Sequence, residues 1–221
     1  MNYNQYMQEI IKNNLGKTSG NIHTPNHAAK LSTSEKKTRI EYHFSQIMNA
    51  LGLDLRDDSL SGTPKRVAKM FVDEIFSGLD PTNKPQISLF ENKYGYNKML
   101  IEKDITLYSY CEHHFVPIIG KVHVAYIPDQ QVIGLSKINR LVQYYAKRPQ
   151  VQERLTLQIS EALKEVLQHN DVAVVIEADH LCVASRGIKD TNSTTFTTQY
   201  SGQFEVDAIR QEFISHIYSK K

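Results

Sequence analysis

The chain of 221 residues has two cysteines, and each stands among histidines, in Cys111-Glu112-His113-His114 and in His180-Leu181-Cys182. A thiolate and an imidazole three positions apart, Cys111 and His114, can turn towards one point where the chain bends. A second thiolate at Cys182 completes a set of soft and borderline donors that zinc accepts, and three protein ligands leave a position open for water. Zinc lowers the pKa of such a water to about 7, which makes hydroxide available near neutral pH. His113 and His180 would then stand nearby, free for proton transfer. The same spacing also permits a closed zinc site of two cysteines and two histidines, with His113 or His180 as the fourth donor, and that site would be structural. On an expected strand His180 and Cys182, two apart, would face one side. His23, His27, His43, His123, His169 and His216 lack such neighbours and read as surface or core residues.

Charged and polar residues around these clusters suggest a second partner. Ser136 is placed to cap a helix, with Lys137 and Arg140 one turn apart just inside it. Amide donors, the positive end of the helix dipole and two cations make an oxyanion or phosphate site, although a solvated basic face has the same pattern. Arg186-Gly187 follows Cys182 by four residues and brings another cation near the metal; Arg66, in an earlier helix, is uninformative alone. Gln152-Glu153 open a further helix, either as a first turn favoured by the dipole or as a paired donor and acceptor for a flat amide-bearing ring. These residues together describe a zinc hydrolase for an anionic, phosphorylated substrate.

The elements that must position them follow from periodicity. Ser32-x-x-Glu35 is a capping box, and Ile40, Phe44, Ile47, Met48 and Leu51 recur at helical spacing, so a helix is expected over 34–50, ending near Gly52. Thr63-Pro64 starts a second helix, buried through Val67, Met70, Phe71 and Ile75 and closed by Gly78. The period then shortens, and strands are expected over 87–90, 98–110 and 120–127. Two helices follow: one carries Ile138, Leu141, Val142 and Tyr145 and stops before Pro149, and the other carries Leu155, Ile159 and Leu163. Strands over 171–184 and 191–201 and a last helix through Val206, Phe213 and Ile217 complete the order. Strand, strand, helix, helix, strand, strand favours antiparallel hairpins and an α+β fold whose open sheet edges need cover, which assembly would give.

Several stretches taken in order resemble GTP cyclohydrolase I: CEHHFVPIIGK (111–121), GLSKINRLV (134–142), KRPQVQERL (147–155) and DHLCVASRGI (179–188). TPKRVAKM (63–70) and DEIFSGLD (73–80) are similar to that family's N-terminal helical segment, and the likeness runs over about 35–217. The resemblance implies Cys111, His114 and Cys182 as zinc ligands, His113 as the group that moves protons at the purine N7, His180 as a further acid–base, and Ser136 as a helper of the later ribose rearrangement. It implies Gln152 and Glu153 at the guanine edge, and Lys137, Arg140, Arg186 and a neighbouring subunit's Arg66 on the triphosphate. It also implies the reaction of GTP and water to formate and 7,8-dihydroneopterin triphosphate, opening tetrahydrofolate or tetrahydrobiopterin synthesis. The implied architecture is the tunnelling fold, with a variable arm over 1–33, helices over 34–80 and a catalytic domain over 81–221. The implied assembly is a homodecamer that closes the barrel and forms its sites between subunits.

Bulk properties agree. Lys and Arg number 26 against 24 Asp and Glu, a balance that argues against a nucleic-acid or membrane surface while permitting a local basic pocket. No apolar run approaches the ~20 residues of a membrane span, the N-terminus lacks a secretory h-region, and cysteines beside histidines suit a metal site in the cytoplasm better than a disulfide. Residues 15–19 glance at a phosphate loop, but Ile11 stands where its first glycine belongs. The remaining alternatives are a related tunnelling-fold enzyme and a zinc-stabilised binding module without catalysis.

Overall fold

A computed structural model describes residues 31–219 together with Thr24. Most of the expected N-terminal arm, the phosphate-loop look-alike, His23 and His27 lie outside the described residues. Helix α1 spans Thr33–Ala50 and starts on the expected capping box: Ser32 Oγ accepts from the Glu35 amide, and the Glu35 carboxylate accepts from the Ser32 amide at 2.8 Å. It buries little. Met48 is its one buried residue, while Tyr42, Ile47 and Leu51 are 61%, 52% and 72% exposed.

Helix α2, Thr63–Lys69, continues as a π-helical stretch over Met70–Ile75. Its N-cap is Gly62 rather than Thr63, so Pro64 falls in the first turn, where a missing N–H breaks no intrahelical bond. The stripe expected to be buried is half-buried, and its aromatic member has a specific partner. Phe71 and Phe76 meet Phe115 edge-on at ring distances of 6.1 and 4.9 Å, and Phe76 also meets Tyr110. Gly78 does not end the helix through a positive φ. It lies in a 3₁₀ turn, Ser77–Leu79, pressed onto the domain below, where a Cβ would come within 2.1 Å of the Tyr144 carbonyl oxygen.

The domain is built on a five-stranded sheet. Strands β2 (Leu100–Cys111), β3 (Pro117–Tyr126), β6 (Val172–His180) and β7 (Thr195–Tyr200) are antiparallel neighbours, and β5 (Pro149–Gln150) lies parallel on the outer side of β2. Strand β1 (Leu89–Glu91) pairs with β4 (Gln131–Ile133) in a separate small ribbon. Helices α3 (Leu135–Ala146) and α4 (Gln152–Leu167) cover one face, with Leu141, Leu155 and Ile159 packed among Leu107, Val122 and Ile176. Helix α6 (Asp207–Tyr218) covers the other, where Phe213 and Ile217 meet Ala173 and Val175. Burial on both faces explains why β6 reads as a continuous apolar run rather than an alternation.

Two expectations change near the site. The strand foreseen over 171–184 ends at His180, and Leu181–Ala184 turn into one helical turn, α5. Strand alternation therefore does not align His180 with Cys182. Ser136 does not cap α3 either: Gly134 is the N-cap and Ser136 lies exposed inside the first turn.

Gly78 is a joint between the helical segment and the domain, since its amide donates to the Lys147 carbonyl and its carbonyl accepts from Arg148 Nε, both at 2.9 Å. A methyl there meets backbone, which cannot swing aside. Gly78→Ala is expected to destabilise the protein by about 1–3 kcal/mol. Thermal unfolding should show a midpoint several degrees lower, and limited proteolysis should show earlier cleavage in 51–62.

Candidate metal centre and active site

Three strand ends and two helix starts meet at one end of the sheet. Cys111 is the last residue of β2, and the turn Glu112–Phe115 returns the chain into β3, with the Phe115 amide donating to the Cys111 carbonyl and Phe115 itself at φ 53°. His180 closes β6 opposite Ile118, and Cys182 follows in α5. Gln152 opens α4. The left-handed backbone at Phe115 is uncommon for a bulky residue, and its edge-on packing against Phe71 and Phe76 holds it there.

The ligand atoms of Cys111, His114 and Cys182 lie within 4.8 Å of one another, the one such group among the described residues. Neither cysteine is in a disulfide. Cys111 is buried against the core while Cys182 is half-buried and His114 exposed, so a soft-donor set opens on one side to solvent. That donor set and spacing fit zinc with an open position. Burial pushes the Cys182 thiol up, and the neighbouring Cys111 pushes it further. Cys182 thus keeps its proton until a metal displaces it, so metal uptake releases protons. Arg186 lies with its guanidinium 3.0 Å from His114 Nε2, which brings the foreseen cation to the cluster.

The two adjacent histidines part company. His114 faces Cys182 and Arg186, whereas His113 turns its Nδ1 to 3.6 Å from Cys111 Sγ and its Nε2 to 3.9 Å from the Glu112 carboxylate. Glu112, which sequence reasoning left without a role, pairs with Arg154 on α4, and Arg154 also donates to the Gln150 side chain and the Pro149 carbonyl. A Glu and an Arg 42 residues apart give no sequence signal for this tie. His180 is half-buried, and burial lowers its pKa against the opposing pull of Glu153 and Asp179. Its imidazole is therefore neutral at neutral pH. The Glu153 carboxylate, exposed in the first turn of α4, stands on the same side.

Other expected residues are not gathered here. Ser136 and Lys137 lie in the first turn of α3, whose last residue, Ala146, accepts from Ser109 beside the site. About 15 Å of helix separates them from that point. Arg140 lines a groove with Gln143, Lys147 and Asn83. Arg66 donates to the Ser59 carbonyl and to Thr63 within its own segment. Gln152, expected at the substrate edge, is 1% exposed, with its amide turned inward.

Two cysteines and an imidazole gathered at the end of an antiparallel sheet, with two further histidines beside them, define a candidate metalloenzyme of the α+β class. The sequence matches the family described as GTP cyclohydrolase I over residues 40–218. It is 55% identical over 190 residues to GTP cyclohydrolase 1 of Flavobacterium johnsoniae, covering 86% of this chain and 85% of that one. It is 56% identical over 194 residues to the enzyme of the same name from Yersinia enterocolitica, covering 87% and 88%. The protein from Tolumonas auensis bearing that name is 55% identical, covering 88% and 90%. The chain belongs to the GTP cyclohydrolase I family.

Arg154 is 13% exposed and holds a half-buried carboxylate. Arg154→Met removes the guanidinium that holds Glu112 and is expected to destabilise the protein by about 1–3 kcal/mol. Adding Glu112→Gln should restore part of the loss, because the stranded charge is gone. Thermal midpoints of the two single variants and the double variant measure this coupling.

Proposed function

We propose that this chain opens the imidazole ring of the guanine of GTP with water, releases formate and rearranges the remainder to 7,8-dihydroneopterin triphosphate. Membership of the family supports the reaction, and the group formed by Cys111, His114 and Cys182 between His113 and His180 is the observation that carries it. We infer that these three residues hold zinc. A bound zinc supplies Lewis acidity that activates water near neutral pH.

The chain's own residues do the rest. C8 of guanine is a poor electrophile, and His113, exposed beside the cluster, delivers a proton to N7 so that attack at C8 places electrons on a neutralised nitrogen. His180, neutral because it is half-buried, exchanges protons in the later steps. Glu153 accepts from the ring N–H and the amino group of guanine. Arg186 binds the triphosphate from the cluster side, and Ser136, Lys137 and Arg140 at the start of α3 supply the ribose and phosphate contacts.

The distance between the start of α3 and the cluster within one chain supports sites completed by another copy. A neighbour contributes Ser136, Lys137, Arg140 and Arg66, as in a homodecamer of tunnelling-fold subunits with helices over 34–80 and a catalytic domain over 81–221. The exposed Ile47 and Leu51 suit such contacts. Among the described residues no helix is long and apolar enough to cross a membrane, and we place the enzyme in the cytoplasm.

Zinc-loaded protein incubated with GTP should yield formate and, after oxidation, a fluorescent pterin. Absence of product at full metal occupancy removes this reading. Cys111→Ala, His114→Ala and Cys182→Ala should lose metal and turnover together, whereas His113→Ala should keep its metal and stop at the first step. Loss of metal in His113→Ala would exchange the roles of the two histidines. Sedimentation should find a large oligomer, and an active monomer overturns the shared site.

A further inference from the structure

Gln152 sits where the guanine edge was expected, yet all its polar atoms are used inside the protein. Its NH₂ group faces the carbonyl oxygens of Ile176 at 3.1 Å and Thr195 at 3.0 Å, and the hydroxyl of Thr197 at 3.1 Å. Its Oε1 lies 2.8 Å from His180 Nε2. The side chain is 1% exposed, so water cannot replace any of these partners.

The direction of each bond follows from the partners. Carbonyl oxygens only accept, so the side of the amide that meets two of them must be the NH₂. A flipped amide would press oxygen against oxygen in a dry site, at the cost of unsatisfied buried groups. Oε1 therefore faces the imidazole, and because it can only accept, His180 Nε2 must carry the hydrogen. The hydroxyls close the system. Thr156 donates to the Gln152 carbonyl at 2.8 Å, so its oxygen accepts from Thr197, 2.7 Å away, and Thr197 accepts from the amide. The two amide hydrogens are shared among three acceptors, and the two carbonyls alone fix which way the amide faces.

We propose that Gln152 is a positioning residue that locks His180 with Nε2 protonated, leaving Nδ1 as the one ring nitrogen able to exchange a proton during turnover. Nε2–H is held by an oxygen that is itself fixed by the buried amide, so the ring keeps one orientation. The lock is assembled from three elements distant in sequence: α4 supplies the amide, β6 the histidine and one carbonyl, and the edge strand β7 the other two acceptors. The need for Thr195 and Thr197 opposite Gln152 and Thr156 gives the threonine-rich β7 a purpose beyond closing the sheet. The catalytic part of this inference rests on the acid–base role given to His180 above; the tautomer does not.

Two measurements on the metal-loaded oligomer test it. Solid-state NMR of protein labelled with ¹⁵N and ¹³C in histidine, assigned by difference from His180→Asn, should show His180 as the Nε2–H tautomer. In Gln152→Met, of similar length but without an amide, the signal should become a mixture. An Nδ1–H tautomer in the parent overturns the lock whether or not the protein opens GTP. In steady-state assays Gln152→Met should lower kcat about 10–100-fold and leave KM for GTP within about twofold. A raised KM at unchanged kcat would return Gln152 to the guanine edge and overturn the positioning role. If Gln152→Met does not assemble, Thr197→Val and Thr197→Ser decide: Val should lower kcat and blur the tautomer, and Ser should restore both. Equal behaviour of Val and Ser in both measurements would overturn the proposal. A parent with full zinc and no turnover would remove the function reading, and the tautomer alone would then decide the lock.

Discussion

The site depends on one short piece of parallel pairing. Pro149–Gln150 lies beside Tyr110–Cys111, and the Glu112 amide donates to the Gln150 carbonyl. That join brings the start of α4 against the end of β2, so Glu112 can reach Arg154, and Gln152 can reach His180. Gln150 is fully buried and its side chain is as occupied as its backbone, donating to the Tyr145 carbonyl and to Gln158 and accepting from Arg154. An apolar residue of the same size would leave the Tyr145 carbonyl and the Arg154 guanidinium short of partners in a dry place. Two paired residues thus fix the relation between the cysteine–histidine group and the start of α4, and the aromatic contacts of Phe115 with the helical segment hold the intervening turn from outside.

Legibility in the sequence follows the range of the interaction. Helix α1 was readable because its capping box is complete within four residues, and α4 because Leu155, Ile159 and Leu163 recur on one face. The ligand group was readable because the two cysteines each lie among histidines. Strands β4 and β5 were not, since two or three residues are too few to show a period. The end of β6 was misread for a related reason: Leu181, Val183 and Ala184 continue the apolar run past His180, while the backbone has already turned. Ser136 and Thr63 have capping side chains but lie two residues and one residue past the glycines that take the cap and leave no side-chain signal. Gly78 resembled a helix stop and is instead a close approach, visible only once the Tyr144 carbonyl is in place.

The polar interior of α4 is the least readable part and the most informative. Gln152, Thr156, Gln158 and Ser160 are buried on a helix whose other buried residues are apolar. In sequence they lower the apparent amphipathicity and read as surface. Burial of Gln152 and Thr156 is tolerable because they meet carbonyls and hydroxyls of β6 and β7, whereas the Ser160 hydroxyl is buried without a partner. A dry network of this kind has one low-energy arrangement, since any reversed donor strands an acceptor. It is therefore suited to holding a neutral imidazole in one orientation, which a mobile solvent-exposed partner could not do.

The adjacent histidines show how such packing separates identical side chains. Backbone geometry at the turn sends His114 towards Cys182, where it shares a point with both sulfurs, and sends His113 towards Glu112. Glu112 is in turn held by Arg154, so the carboxylate that faces His113 is partly neutralised, and it attracts that imidazole weakly enough to leave it exposed. The Arg154 tie leaves the ring at the mouth of the cluster, able to meet a base that approaches from solvent. Both rings lie near sulfur, but His114 shares a point with the two cysteines, whereas His113, with Nδ1 3.6 Å from Cys111 Sγ, turns Nε2 to the Glu112 carboxylate.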